Sequence, residues 1–71
     1  MKEQLLARGW VMYYKCKCSG GKEYYSNASF PGFEVRIRIK NNTFSIILSN
    51  MVIAGPFWGY QLKEMVDKYV K

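Results

Sequence analysis

From Phe33 to Lys40 apolar and charged residues alternate without exception: Phe33, Val35, Ile37 and Ile39 against Glu34, Arg36, Arg38 and Lys40. This is the period of a strand with one buried and one wet face. Asn41-Asn42 predicts a two-residue turn, since Asn tolerates positive φ, and the segment from Thr43 returns as its partner. With Lys40 opposite Thr43, Ile39 would meet Phe44, Ile37 would meet Ile46 and Val35 would meet Leu48, all on one face. Ser49-Asn50 predicts the next tight turn, setting Leu48 against Met51 and Ile46 against Ile53. The same register turns Ile47 and Val52 outward beside Arg36, as a contact patch or as an apolar pair covered by arginine stems.

The flanks fit around this hairpin. Lys2 to Arg8 predicts a helix of about two turns, anchored by Leu5 and Leu6 and ended by Gly9 in the left-handed region. Trp10 to Cys18 is rich in strand formers, with Trp10, Met12, Tyr14, Cys16 and Cys18 expected on one face and Val11, Tyr13, Lys15 and Lys17 on the other. Ser19-Gly20-Gly21-Lys22 reads as a turn and Glu23 to Ser26 as a short strand on which one of Tyr24 and Tyr25 faces inward. Phe30-Pro31-Gly32-Phe33 has the residues of a type II turn. Gly55-Pro56 is expected to end the sheet and open a helix running to about Val70, with Trp58, Leu62, Met65, Val66 and Tyr69 on its apolar face. The pattern therefore predicts one α+β domain over residues 1–71: a short N-terminal helix, an antiparallel meander sheet of four or five strands, and a C-terminal helix packed on one sheet face.

Composition narrows the class. Twelve aromatics in 71 residues supply enough apolar area for a packed core. No apolar segment follows Lys2-Glu3-Gln4, so a signal peptide is not expected, and the uncharged stretch from Asn41 to Leu62 is interrupted by Asn50, Gly55, Pro56 and Gly59. Cys16 and Cys18 on an extended strand would need a non-extended backbone to pair, so buried free thiols in a reducing cytoplasm are expected. The net charge of +6 is uneven: residues 1–40 hold eight Lys or Arg against three Glu, and residues 41–62 hold no charge. Such an excess attracts polyanions, nucleic acid first.

The candidate chemistry follows from the strand faces. Arg36, Arg38 and Lys40 on one strand and Lys15 and Lys17 on another, with Tyr13 and one of Tyr24 and Tyr25 among them, form a basic face with aromatics, the composition that tracks phosphates and stacks bases. The same residues are also ordinary occupants of a solvated strand. The Cys16-Lys17-Cys18 pair could ligate zinc only if a symmetric dimer completed a four-sulfur site, because the chain has no histidine and no third cysteine. The aromatic run Phe57-Trp58-Gly59-Tyr60 could stack on a base or plug the core. With no histidine, no paired carboxylates and no Walker-type loop, neither a catalytic residue nor a cofactor is expected.

The order helix, antiparallel strands, helix is similar to the outline of double-stranded-RNA-binding domains, whose basic cluster at the second helix is here reduced to Lys63, and of interferase toxins, whose catalytic histidine is missing. The stretch from Lys15 to Leu62 is about two thirds of the chain. With Cys16-Lys17-Cys18-Ser19-Gly20-Gly21, Tyr24-Tyr25-Ser26-Asn27, Asn42-Thr43-Phe44-Ser45-Ile46 and Ile53-Ala54-Gly55-Pro56-Phe57-Trp58-Gly59-Tyr60, it resembles a family of small bacterial proteins to which no activity is attached. That resemblance implies a compact cytosolic domain. Two functional expectations stand side by side: a non-enzymatic module binding single-stranded nucleic acid, RNA before DNA, through Tyr13, Lys15, Lys17, Arg36, Arg38 and Lys40; and a homodimeric protein-interaction module using Ile47 and Val52 or an edge strand. Neither involves a membrane.

Overall fold

The computed structural model describes residues 1–18 and 20–71. Helix α1 (Lys2–Ala7) leads into strands β1 (Val11–Cys16), β2 (Lys22–Ser26), β3 (Phe33–Arg38), β4 (Thr43–Leu48) and β5 (Met51–Trp58), followed by a 3-10 turn (Gly59–Gln61) and helix α2 (Leu62–Tyr69). The five strands form one antiparallel meander in chain order. Val35, Ile37, Phe44, Ile46 and Tyr25 on one sheet face pack with Leu5 and Trp10 and with Leu62, Val66 and Val70. An Arg8–Asp67 ion pair at 3.7 Å links the end of α1 to α2. No helix is long and apolar enough to cross a membrane among the described residues.

The expected punctuation is present. Gly9, at φ +89°, ends α1, and its N–H donates to the Leu6 carbonyl at 3.2 Å. Phe33 N–H donates to the Phe30 carbonyl at 3.1 Å with Gly32 at φ +88°, closing the type II turn. Ser49 and Asn50, at φ +51° and +68°, join Leu48 to its partner Met51. Of the two leucines in α1 only Leu5 is buried, because Leu6 points away from the sheet. The hairpin turn between β1 and β2 places Gly20 and Gly21 at positive φ, while Ser19 lies outside the described residues.

The β3–β4 register differs from the expected one by two residues. Arg38, not Lys40, opposes Thr43, and Ile37 meets Phe44, Val35 meets Ile46 and Phe33 meets Leu48. An even offset preserves the face of every side chain, so the apolar pattern is equally satisfied. Local hydrogen bonds distinguish the two registers. Ile39 and Lys40 donate their N–H groups to the Gly21 and Gly20 carbonyls at 3.1 and 3.2 Å, and Asn42 N–H closes a turn on the Ile39 carbonyl at 3.3 Å. Residues 39–42 thus belong to a turn and Ile39 is exposed.

Strand β5 departs most from expectation. Gly55-Pro56 lies inside it, joined by a cis peptide bond, rather than at a helix start. Phe44 pairs with Phe57 and Ile46 with Ala54, so Gly55 and Pro56 together span the single residue Ser45, and a second irregularity follows between Ile46 and Ile47. Gly55 sits at φ +107°, and a Cβ there would fall 3.0 Å from both the Phe44 oxygen and the Ser45 Cα. Only glycine lets the two backbones approach in this way. Trp58 is consequently the last residue of β5 and not part of the apolar face of α2, which begins four residues later at Leu62.

Candidate nucleic-acid interface

Residues paired across neighbouring strands share a sheet face. The pairings Tyr14–Tyr24, Tyr24–Arg36 and Arg36–Ser45 make one row on the face opposite the core. Cys16–Lys22, Lys22–Arg38, Arg38–Thr43 and Thr43–Trp58 make a second row, crossing all five strands. Ser26, Glu34, Ile47 and Val52 make a third. Both helices pack on the Val35 face, which leaves these rows without helical cover among the described residues. Arg36 and Arg38 are there because the alternation of β3 puts them there.

Strand β1 changes face midway. Met12 pairs with Tyr25, but Tyr14 pairs with Tyr24, so Tyr13 is an extra, bulged residue and every position after it has the opposite parity from the expected one. Tyr14 therefore joins the basic face, with its ring 5.6 Å from that of Tyr24. Tyr13 also remains close to it, since its hydroxyl donates to Glu34 Oε1 at 2.6 Å. Burial and this hydrogen bond push the Tyr13 hydroxyl up to about 12.

The same parity change removes Lys15 from the basic face. It pairs with Glu23, which pairs with Ile37, so Lys15 stands at the margin of the helix-covered side, its Nζ 3.9 Å from Glu23 Oε2. Glu23 also accepts the hydroxyl of fully buried Tyr25 at 3.1 Å. Lys17 lies beyond the end of β1, and Lys40 lies beyond β3 in the turn that leads to β4. The expected six-residue cluster is thus reduced on the sheet itself to Arg36 and Arg38, with Tyr13 at its margin and Lys40 at its rim. Tyr14, Lys22 and Trp58 enter instead, Tyr14 through the Tyr13 bulge and Trp58 because β5 runs on through Gly55-Pro56.

Cys16 and Cys18 are not buried free thiols. They are joined by a disulfide, Cys18 is exposed, and the backbone is no longer strand at Lys17, which meets the requirement for a non-extended path between them. With the two sulfurs paired, no free thiol among the described residues points to a reducing compartment. Among the described residues no cluster of three potential ligands could hold a metal ion.

The expected Ile47/Val52 patch divides. Ile47 is only 6% exposed and Val52 is 48% exposed, although the two are paired and share a face. Ile47 lies outside the cluster formed with the helices and is a small second packing centre on the outer face, flanked by Glu34 and Val52.

The electrostatics of the outer face are one-sided. Among its rows the acid is Glu34, occupied by Tyr13, whereas Lys22, Arg36 and Arg38 are cationic. The Nε atoms of Arg36 and Arg38 are buried and find no acceptor among the described residues. Both arginines are only partly buried on this uncovered face, and guanidinium groups so placed favour an anionic ligand. Two cavities flank Arg38. One, of about 380 Å³, is lined by Cys18, Gly21, Lys22, Arg38, Lys40 and Asn41, and the other, of about 390 Å³, by Arg38, Asn41, Thr43, Pro56, Phe57 and Trp58.

Compared with protein-family models, curated proteins and solved structures, the chain matches none of them.

Proposed function

We propose that this protein is a non-catalytic module that holds single-stranded nucleic acid, RNA before DNA, on the outer face of its sheet. The observation that carries the reading is the juxtaposition of Tyr14 and Tyr24 with Arg36 and Arg38 on a face that neither helix covers. Flat aromatics take the exposed faces of unpaired bases, and guanidinium groups take phosphates between them. A duplex hides its base faces in the stack, so a platform of this kind discriminates against it.

The test is direct binding of a fluorescent mixed-sequence dodecaribonucleotide, single-stranded and as a duplex, to the wild type and to Tyr14→Ala/Tyr24→Ala. The reading expects the single strand to bind more tightly than the duplex and the double variant to lose at least tenfold in affinity, from stacking on the order of 1–3 kcal/mol per base. Equal binding of both forms, or no effect of the tyrosines, refutes it.

A second reading rests on the edge of the sheet. Met51, Val52 and Ile53 are exposed on edge strand β5, and an apolar edge is a surface on which a second copy can pair. Ile47 no longer belongs to that surface. Light scattering tests this reading: a dimer mass that returns to monomer in Val52→Lys supports it, and a monomer mass in the wild type removes it.

A further inference from the structure

We propose that the hairpin end of the outer face contains a nucleotide subsite, a trough in which the phosphate of one nucleotide sits among Lys22, Arg38 and Lys40 while its base stacks on Trp58. This rests on the single-strand reading and locates one unit of the strand within it.

The two cavities beside Arg38 both take Arg38 and Asn41 into their walls, so they adjoin along one line. Their other walls differ in chemistry. The first adds Cys18, Gly21, Lys22 and Lys40 and includes no carboxylate among the described residues; the second adds Thr43, Pro56, Phe57 and Trp58. A phosphate fits the former, and the flat apolar face of a base fits the latter. Lys22, Arg38, Thr43 and Trp58 are consecutive partners across β2, β3, β4 and β5. At about 4.8 Å between strands, Arg38 and Trp58 are roughly 10 Å apart along the row, so that their side chains can address opposite ends of one nucleotide.

Trp58 is held as a platform. It is 57% exposed, whereas the other tryptophan, Trp10, is 2% exposed in the core. Its backbone N–H donates to Gln61 Oε1 at 3.0 Å, and the backbone N–H of the next residue, buried Gly59, donates to the Asn42 carbonyl at 2.9 Å. A Cβ on Gly59 would lie 3.1 Å from Asn42 side-chain atoms, so this junction too requires close approach. The backbone is thus held at Trp58 and at Gly59, and it presents a large side chain that the core does not use. The acid of the outer face, Glu34, lies two rows away, so the potential directs phosphate to this end.

Because Trp10 is buried, ligand-dependent emission reports on Trp58. Intrinsic fluorescence is followed at low salt while adenosine 5′-monophosphate, adenosine or inorganic phosphate is added to the full chain; binding of the labelled dodecamer is measured in parallel on wild type, Trp58→Ala and Arg38→Gln. The expected result is saturable quenching by the nucleotide, at least tenfold weaker responses to adenosine and to phosphate alone, loss of the response in Arg38→Gln, and about tenfold weaker dodecamer binding by Trp58→Ala. If the dodecamer binds the wild type and Trp58→Ala equally, the subsite is refuted while the platform stands. If inorganic phosphate matches the nucleotide, the trough is an anion site only and the proposal fails. If the dodecamer does not bind at all, the platform reading fails and the subsite with it.

Discussion

Salt dependence gives the interface a number. The outer face and its rim present four cations to a strand, Lys22, Arg36, Arg38 and Lys40. Each phosphate neutralised on a single strand contributes about 0.7 to the slope of log affinity against log salt, so four contacts give a slope of about −2.8. Raising monovalent salt from 50 to 200 mM then weakens binding about 50-fold. Arg36→Glu/Arg38→Glu removes two contacts and brings the slope to about −1.4, or a loss of about sevenfold over the same range, besides weakening binding at every salt concentration. Both arginines are partly exposed on the face away from the core, so the exchange leaves the main packing intact. Lys63→Glu/Lys68→Glu, on the exposed side of α2, changes net charge equally and should leave the slope at its wild-type value. Fluorescence anisotropy at five salt concentrations, with circular dichroism to confirm folding, measures all three proteins. Identical slopes for the two charge-reversal variants would show that net charge rather than the sheet face binds the strand, and the reasoning would be refuted.

Three further predictions concern the frame that presents this face. Ile47→Ala should cost about 2–3 kcal/mol in urea denaturation because Ile47 is buried, and Val52→Ala less than about 1 kcal/mol; small and equal losses would return Ile47 to the surface. Gly55→Ala should cost at least ~2 kcal/mol, since both its φ and the Phe44 and Ser45 backbones oppose a Cβ, and it should exceed the cost of Gly32→Ala, whose Cβ would meet only Leu48 Cδ1 at 3.6 Å. Equal costs would contradict the close approach at Gly55. Burial, reinforced by the Glu23 carboxylate, pushes the Tyr25 hydroxyl up to about 12 from 10. Between those values the folded chain holds a proton that the unfolded chain has lost, so stability should fall as pH rises from about 10 to 12. Tyr25→Phe should flatten that decline, as followed by the thermal midpoint, and an unchanged profile would contradict the assignment.

How much of this was legible in the sequence depends on whether a local signal existed. The alternation in β3 is regular, and it determined which face is basic whatever the register, because an error of two residues conserves parity. Gly9, Pro31-Gly32 and Ser49-Asn50 each encode their own backbone geometry and fall where their chemistry requires. A bulge has no such signature in β1. Nothing about Tyr13 among strand-forming neighbours distinguishes it from a paired residue, yet its insertion moves Lys15 away from the site and Tyr14 into it. The signal at Gly55-Pro56 was present and admitted two meanings, helix start or strand irregularity. Phe57 decides between them: it packs against Phe44 across β4 and stacks 6.0 Å from the Tyr69 ring, which uses it as a strand residue and leaves Trp58 facing outward. The turn expected at Asn41-Asn42 also takes in Ile39 and Lys40, for which no local signal exists because the carbonyls that hold them belong to Gly20 and Gly21 of a different hairpin.

The central claim is that the uncovered sheet face is where the strand lies. Amide chemical-shift mapping on uniformly labelled protein, titrated with the single-stranded dodecamer, tests it residue by residue. The account predicts that the perturbed amides cluster at Tyr14, Lys22, Tyr24, Arg36, Arg38 and Trp58, while those of α2 from Lys63 to Lys68 stay in place. Perturbations concentrated on α2, or spread evenly over both faces, would contradict it.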